Sequence, residues 1–140
     1  MADDEGTDNT VDMDRFYLVC NAFNCANSTD PGIQFNQVDQ QVYGYASGGE
    51  VPMGPGSIHW ANSSVILTYD TENYNFSFAK LNLKASARDY DGGWSSDEWA
   101  SGQVNLVGND IWGLKTIYLY SADFTIKAEI EITKGNKGGN

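Results

Sequence analysis

Apolar and polar residues alternate most clearly near the end of the chain. Between residues 124 and 133 every second residue is apolar: Phe124, Ile126, Ala128, Ile130 and Ile132. This period of two is typical of a strand with one buried and one solvated face. Residues 114–120 predict a preceding strand, and Tyr120-Ser121-Ala122-Asp123 predicts a hairpin connection between the two.

The alternation changes parity in the middle of the chain. Tyr74, Phe76 and Phe78 share one parity, whereas Leu81 and the apolar residues after it have the other. Such a change predicts a bulge or bend near residues 79–80, as in a long strand that passes from one sheet to another. Further strands are predicted at residues 15–23, 40–46, 57–60, 64–69 and 103–107, with a Gly- and Pro-containing loop at 47–56.

About eight short strands separated by turn residues predict an all-β protein. We expect an antiparallel β-sandwich of the Greek-key or jelly-roll type. The 140 residues suit one domain, which we place at residues 14–133, between a flexible acidic arm at 1–13 and a flexible tail at 134–140. No apolar run approaches the ~20 residues of a membrane span, and the arm lacks the apolar core of a signal peptide. We therefore expect no membrane insertion.

The net charge of −11 narrows the set of partners. The eight basic residues are dispersed along the chain, whereas binding to nucleic acid or to an anionic membrane requires a basic patch. Neither partner is expected. The acidity favours solubility, contact with a cationic partner, or capture of calcium.

The cysteines and the glycosylation sequons are evidence on whether the protein is secreted. Cys20 and Cys25 would lie ~16 Å apart in an extended strand, so a disulfide between them requires that residues 21–24 turn. Asn-x-Ser/Thr sequons occur at Asn27, Asn62 and Asn75. The cysteine pair and the sequons together favour a secreted protein, present here as a mature chain.

The stretch from Asp89 to Trp99 carries the densest candidate chemistry. Four carboxylates and two tryptophans flank a Gly-Gly pair. Clustered oxygen ligands suit calcium, and the candidate ligands in this stretch are Asp89, Asp91 and Asp97. An EF-hand loop that starts at Asp89 is excluded, because Trp94 and Ala100 stand where that loop needs Gly and Glu.

The same stretch predicts a sugar site. Trp94 and Trp99 can stack on sugar rings, while Tyr90 and Asp91 can bond hydroxyl groups. The two tryptophans are five residues apart and serve one ligand only if the chain between them turns. The alternative is an acidic surface loop with tryptophan anchors in the core.

Catalysis has little support in the sequence. His59 is the only histidine, and in Ser57-Ile58-His59-Trp60 it favours packing over base catalysis. We therefore predict no enzyme activity, with a glycosidase pair of loop carboxylates as the open alternative.

Tyr69 and Tyr74 have the spacing of the aromatic residues in a Greek-key motif. Residues 64–119 resemble βγ-crystallin domains in this spacing and in Asn109-Asp110, which is similar to the start of that family's calcium signature. Phe76 stands in place of the family's Gly, and Gly113-Leu114 in place of its Ser/Thr-Ser. The resemblance implies a Greek-key sandwich with Asn109 and Asp110 beside a calcium ion.

The main hypothesis is a non-enzymatic, lectin-like module that binds a glycan or glycoprotein. One alternative is a calcium-binding or structural βγ-crystallin-like domain. The other is a β-rich subunit whose edge strands build an oligomer or larger assembly.

Overall fold

A computed structural model describes residues 11–44, 51–54, 56, 58–60, 63–89 and 98–135. Strands make up 60% of these residues and none is in an α-helix, which confirms the all-β prediction. The strands are β1 (Val11–Asn24), β2 (Ile33–Gly44), β3 (Val51–Met53), β4 (Lys80–Asp89), β5 (Glu98–Val107), β6 (Gly113–Tyr120) and β7 (Thr125–Ile132). Two short 3₁₀ helices span Phe76–Phe78 and Gly108–Ile111.

All seven strands belong to one antiparallel sheet that curls into a half-barrel. The order is β2-β1-β4-β5-β6-β7, and β3 pairs with the start of β1. A second sheet, which a sandwich requires, is not present among the described residues. Two segments that we predicted as strands, 57–60 and 64–69, form no strand where they are described.

The core covers the inner face of the half-barrel. Its fully buried side chains include Leu83 on β4 together with Ile117 and Leu119 on β6. Burial of each such side chain stabilises the fold by roughly 1.5–3 kcal/mol. The alternation predicted for residues 124–133 is confirmed, because Ile126, Ala128 and Ile130 lie toward the core while their neighbours are exposed.

The segment at residues 63–79 covers part of the core without joining the sheet. Val65, Leu67 and Tyr69 pack against the core, whereas Ile66 is 84% exposed. The Tyr69 hydroxyl donates to the Lys80 carbonyl oxygen at 2.7 Å. Burial therefore alternates along residues 64–69, but the segment covers the core and does not pair as a strand.

The parity change near residues 79–80 marks the end of the first 3₁₀ helix and the start of β4. Gly108, the first residue of the second 3₁₀ helix, contacts the same region: its N–H donates to the Ala79 carbonyl oxygen at 2.8 Å. Its φ of 59° is left-handed, and a Cβ there would lie 2.6 Å from the Ser77 carbonyl oxygen. A glycine is therefore needed where the two 3₁₀ helices meet.

Several predicted boundaries change in the structure. β1 begins at Val11, because residues 11–13 pair with β3, so these residues belong to the sheet and not to an arm. β2 begins at Ile33, seven residues before the predicted start. The β6–β7 hairpin is confirmed, with Tyr120 opposite Thr125. Residues 1–10 and 136–140 lie outside the described part of the chain, as do five of the ten residues of the predicted 47–56 loop.

Cys20 and Cys25 are both buried free thiols, so the disulfide that the sequence left open is not formed in this structure. β1 continues in extended form to Asn24, and residues 21–24 therefore do not make the turn that a bond requires. Burial raises the pKa of both thiols.

Two of the sequon asparagines have a local structural role. The side-chain Oδ1 of Asn27 accepts from the N–H and hydroxyl of Thr29, and the Oδ1 of Asn75 accepts in the same way from Ser77. These turns therefore give a structural reason for the Asn-x-Ser/Thr pattern at both positions. Asn62 lies outside the described residues. Within the described ranges, no helix has the length and apolarity needed to cross a membrane.

Candidate ligand-binding face

Six amide side chains lie together on the outer face of the sheet. β1 supplies Asn21, β4 supplies Asn82, and the others come from β2 and β5; we call the set the amide face: Asn21, Gln34, Gln37, Asn82, Gln103 and Asn105. Asparagine is depleted in strands because it gains little from packing on a pleated surface. Its recurrence at neighbouring positions of central strands therefore indicates a role other than folding.

The strand register places these residues opposite one another. Asn21 on β1 lies opposite Gln37 on β2 and opposite Asn82 on β4. Asn82 in turn lies opposite Asn105 on β5. Residues directly opposite each other on one face are the closest side-chain neighbours in a sheet, so the amides form a row across four strands.

Hydrogen bonds join the row into one network. Asn82 accepts from the Nδ2 of Asn21 at 3.0 Å. Its own Nδ2 donates to the side-chain oxygens of Gln103 at 3.0 Å and Asn105 at 2.8 Å. On the other side, Gln34 donates to the side-chain oxygens of Asn21 and Gln37, each at 3.2 Å. Asn82 is therefore the centre of the network and fixes the orientation of its neighbours.

The ends of the network keep hydrogen-bonding capacity toward solvent. Gln103 and Asn105 are exposed, and their amide nitrogens donate to no residue in the described part of the chain. Each amide offers two N–H donors and an oxygen with two lone pairs. The face can therefore donate to and accept from a polar ligand at several fixed points.

The amide face lies in a shallow depression of about 640 Å³. Among the described residues that line it, only Asp39 and Lys84 are charged. A smaller, mainly apolar depression of about 320 Å³ adjoins it and is lined by Phe23, Pro31 and Val107 among others. The two depressions share Phe23, Asn82 and Asn105, so they form a continuous surface.

An aromatic pair lies on the same outer face, four residues from Asn21 along β1. Tyr17 stacks on Trp99 of β5 with ring centroids 5.8 Å apart and planes 28° from parallel. Trp99 is 44% exposed. From Asn21 to Tyr17 the strand covers about 13 Å. The outer face thus combines a neutral polar region with a flat aromatic one.

An ion pair between Arg88 and the buried carboxylate of Asp14 lies beside the aromatic pair. The Arg88 guanidinium carbon lies 5.7 Å from the centre of the Trp99 ring. Arg88 donates from Nε and Nη2 to the two carboxylate oxygens of Asp14, at 2.9 and 2.5 Å. The β1–β4 register shifts between Met13 and Arg15, and the Asp14 side chain is only 2% exposed. The irregularity in β1 therefore allows a buried carboxylate to hold the arginine beside Trp99.

Of the predicted sugar-site residues, Trp99 lies beside this face. Tyr90, Asp91 and Trp94 lie outside the described residues, so their predicted role stays a prediction. The structure places the amide face on strands and not in the loop that we singled out. The missed signal was the set of Asn and Gln at polar positions of the alternating segments, such as Asn82 between Leu81 and Leu83.

Of the predicted calcium ligands that the structure describes, Asp89 lies at the end of β4, whereas Asn109 and Asp110 lie near the start of that strand. Asp89 is 5% exposed, and its Oδ1 accepts from the Asp12 N–H at 2.9 Å. Asn109 and Asp110 lie exposed in the second 3₁₀ helix, and Asp97 lies outside the described residues. No group of three or more His, Cys, Asp or Glu side chains that could hold a metal occurs in the part of the chain that the structure describes.

Two other aspartates serve turns. Hydrogen bonds from the Ala26 and Gly32 N–H groups hold the pKa of Asp30 below its ordinary value. The side chain and backbone of Asn73 lower the pKa of Asp70 in the same way. The His59 ring packs edge-on against Tyr43, with centroids 4.5 Å apart, which is the packing role predicted for it.

Comparison of the chain with protein-family models, curated proteins and solved structures gave no match. The resemblance of residues 64–119 to βγ-crystallin domains therefore stays a prediction. The functional argument rests on the geometry of the outer face.

Proposed function

We propose that this protein is a non-enzymatic module that binds a neutral polysaccharide on its amide face, with Trp99 stacking on a sugar ring at one end. The observation that carries the proposal is the hydrogen-bonded amide row across β2, β1, β4 and β5. The ligand is a glycan or the glycan of a glycoprotein.

The chemistry of the amides matches that of sugar hydroxyls. A hydroxyl group both donates and accepts, and so does each amide side chain. The network among the amides orients them before a ligand arrives, which lowers the conformational entropy lost on binding. A row of fixed amides therefore suits a ligand with many hydroxyl groups.

The charges of the protein favour a neutral polysaccharide over an anionic one. The protein carries a net charge of −11, which repels an anionic polysaccharide. The described lining residues include one acidic and one basic side chain, Asp39 and Lys84, and the others are uncharged. The exposed aromatic area of Trp99 and Tyr17 supplies the apolar contact that such a chain needs.

The length of the surface indicates an oligosaccharide as the minimum ligand. Phe23 at one end and Tyr17 at the other are six residues apart on β1, a span of about 20 Å. Contacts distributed over this span are weak individually and add along a chain. We expect longer oligomers of one glycan to bind more tightly than its single sugar.

The test is a glycan array followed by titration calorimetry with the best neutral oligosaccharide. Asn82→Leu removes the centre of the network and should weaken binding at least about tenfold, because neighbouring amides lose their fixed orientation. Trp99→Ala should weaken it to a similar extent through loss of stacking. The matched control is Thr116→Leu, an exposed polar residue of β6 away from the amide face.

All three variants should keep the β-sheet circular dichroism spectrum of the parent. The proposal is contradicted if the protein binds no neutral glycan, or if Asn82→Leu binds as tightly as Thr116→Leu does.

A further inference from the structure

β7 lies at one edge of the sheet and is regular along its whole length. It pairs with β6 through eight consecutive residue pairs without a register shift. No described strand pairs with its other side. The strand contains no Pro, Gly or bulge, and its three charged residues, Lys127, Glu129 and Glu131, all lie on the outer face. An edge of this length and regularity can accept a further strand.

The core-facing residues of β7 leave apolar area uncovered. Ile126, Ile130 and Ile132 face the core, yet each is only partly buried, as is Phe124 before them. In the part of the chain that the structure describes, no strand continues the half-barrel beyond β7, which explains this incomplete burial. A strand added at this edge would cover the remaining apolar area.

We propose that the added strand is β7 of a second copy of this chain, paired antiparallel about a two-fold axis through Ala128. In this register Lys127 lies opposite Glu129 of the partner subunit, and the symmetry makes this pair twice. On the core side, Ile126 lies opposite Ile130 of the partner subunit. A self-complementary patch of this kind is what a two-fold dimer interface requires.

The charges on the outer face of β7 select this register from its neighbours. An axis through Lys127 would place the two copies of that lysine opposite each other, and one through Glu129 would do the same for that glutamate. An axis through Ile130 would set Glu129 against Glu131 of the partner subunit. Like charges directly opposite each other are unfavourable in a sheet, and only the axis through Ala128 pairs unlike charges without a like-charge pair.

The side chains that make these pairs are accessible. Lys127 and Glu129 are 53% and 48% exposed, and their charged atoms are 3.6 Å apart within one strand. Both can therefore turn toward a neighbouring strand. Ala128 at the axis is small, so the two backbones can approach closely there.

The experiment measures the dimerisation of the full chain by sedimentation velocity over a range of concentrations. The parent should show a monomer–dimer equilibrium. Lys127→Glu places four acidic groups together at the axis and should raise the dimer dissociation constant at least about tenfold. Lys84→Glu, the same charge reversal at an exposed position of β4, should leave it unchanged.

The decisive variant exchanges the two charges. Lys127→Glu combined with Glu129→Lys restores the unlike pairs of the register about Ala128, so it should recover the dissociation constant of the parent. In the register about Glu129 the same exchange would set like charges together. A parent that stays monomeric at millimolar concentration, or a double variant as weak as Lys127→Glu, would overturn the proposal. Circular dichroism checks that each variant is folded.

Discussion

Replacing Asp14 by Asn tests the buried ion pair that supports Trp99. The Asp14 carboxylate accepts two charge-assisted hydrogen bonds from Arg88, at 2.9 and 2.5 Å, in a position where its side chain is 2% exposed. Asn has nearly the same shape, so the substitution leaves no cavity. It removes the negative charge and turns an amide N–H₂ group toward a guanidinium that can only donate.

The magnitude follows from the burial of the two partners. Removal of one partner from a fully buried ion pair costs roughly 3–5 kcal/mol, because the other charge is left without compensation. Arg88 is 22% exposed at its side chain, so its guanidinium regains part of its hydration when Asp14 is replaced. We therefore expect a loss of about 2–3 kcal/mol in the free energy of unfolding.

The assay is urea unfolding followed by tryptophan fluorescence, with thermal melting as a second measure. For a domain of this size the loss corresponds to a fall in Tm of roughly 6–12 °C. The matched control is Asp123→Asn, an exposed aspartate in the β6–β7 turn, which should change stability by less than about 0.5 kcal/mol. If Asp14→Asn is as mild as its control, the ion pair does not hold β1 to β4 and the account of Trp99 is wrong.

Two further predictions concern the backbone and the thiols. Gly108→Ala should cost about 2 kcal/mol or more in urea unfolding, because it adds a Cβ 2.6 Å from the Ser77 carbonyl oxygen to a left-handed φ. Gly113→Ala, at a φ of 101° with no atom within 4 Å of the added Cβ, should cost less, and equal losses would refute the close approach. Cys20 and Cys25 should resist iodoacetamide in the native protein, because burial and a raised pKa leave little accessible thiolate. After unfolding without reductant the mass should rise by two adducts, whereas a mass without adducts would show a disulfide.

The local sequence patterns predicted individual strands better than they predicted how the strands are arranged in sheets. The alternation at residues 124–133 sets the buried face of β7, because period two has only one structural interpretation over ten residues. Burial also alternates along residues 64–69, yet that segment packs on the core without a neighbouring strand. Pairing is a long-range property, so neither segment could reveal from its own residues whether a second sheet forms.

The candidate site was missed for a related reason. Asn21, Asn82 and Asn105 are each separated by more than twenty residues in sequence, and only the strand register brings them into one row. The loop at 89–99 attracted attention because its carboxylates and tryptophans are adjacent in sequence. Trp99 is an exposed aromatic residue, as the sugar-site hypothesis requires, but its neighbours on the sheet, Tyr17 and Arg88, come from distant segments.

The most direct test of the account is to observe the side-chain amides while the ligand binds. In a ¹⁵N-labelled sample, the side-chain N–H₂ signals of Asn and Gln can be followed during titration with a neutral oligosaccharide selected from the array. The account predicts that the signals of Asn21, Asn82, Gln103 and Asn105 shift together with the indole N–H of Trp99. Shifts confined to Asn109 and its neighbours, or saturation of binding with these amide signals unchanged, would contradict it.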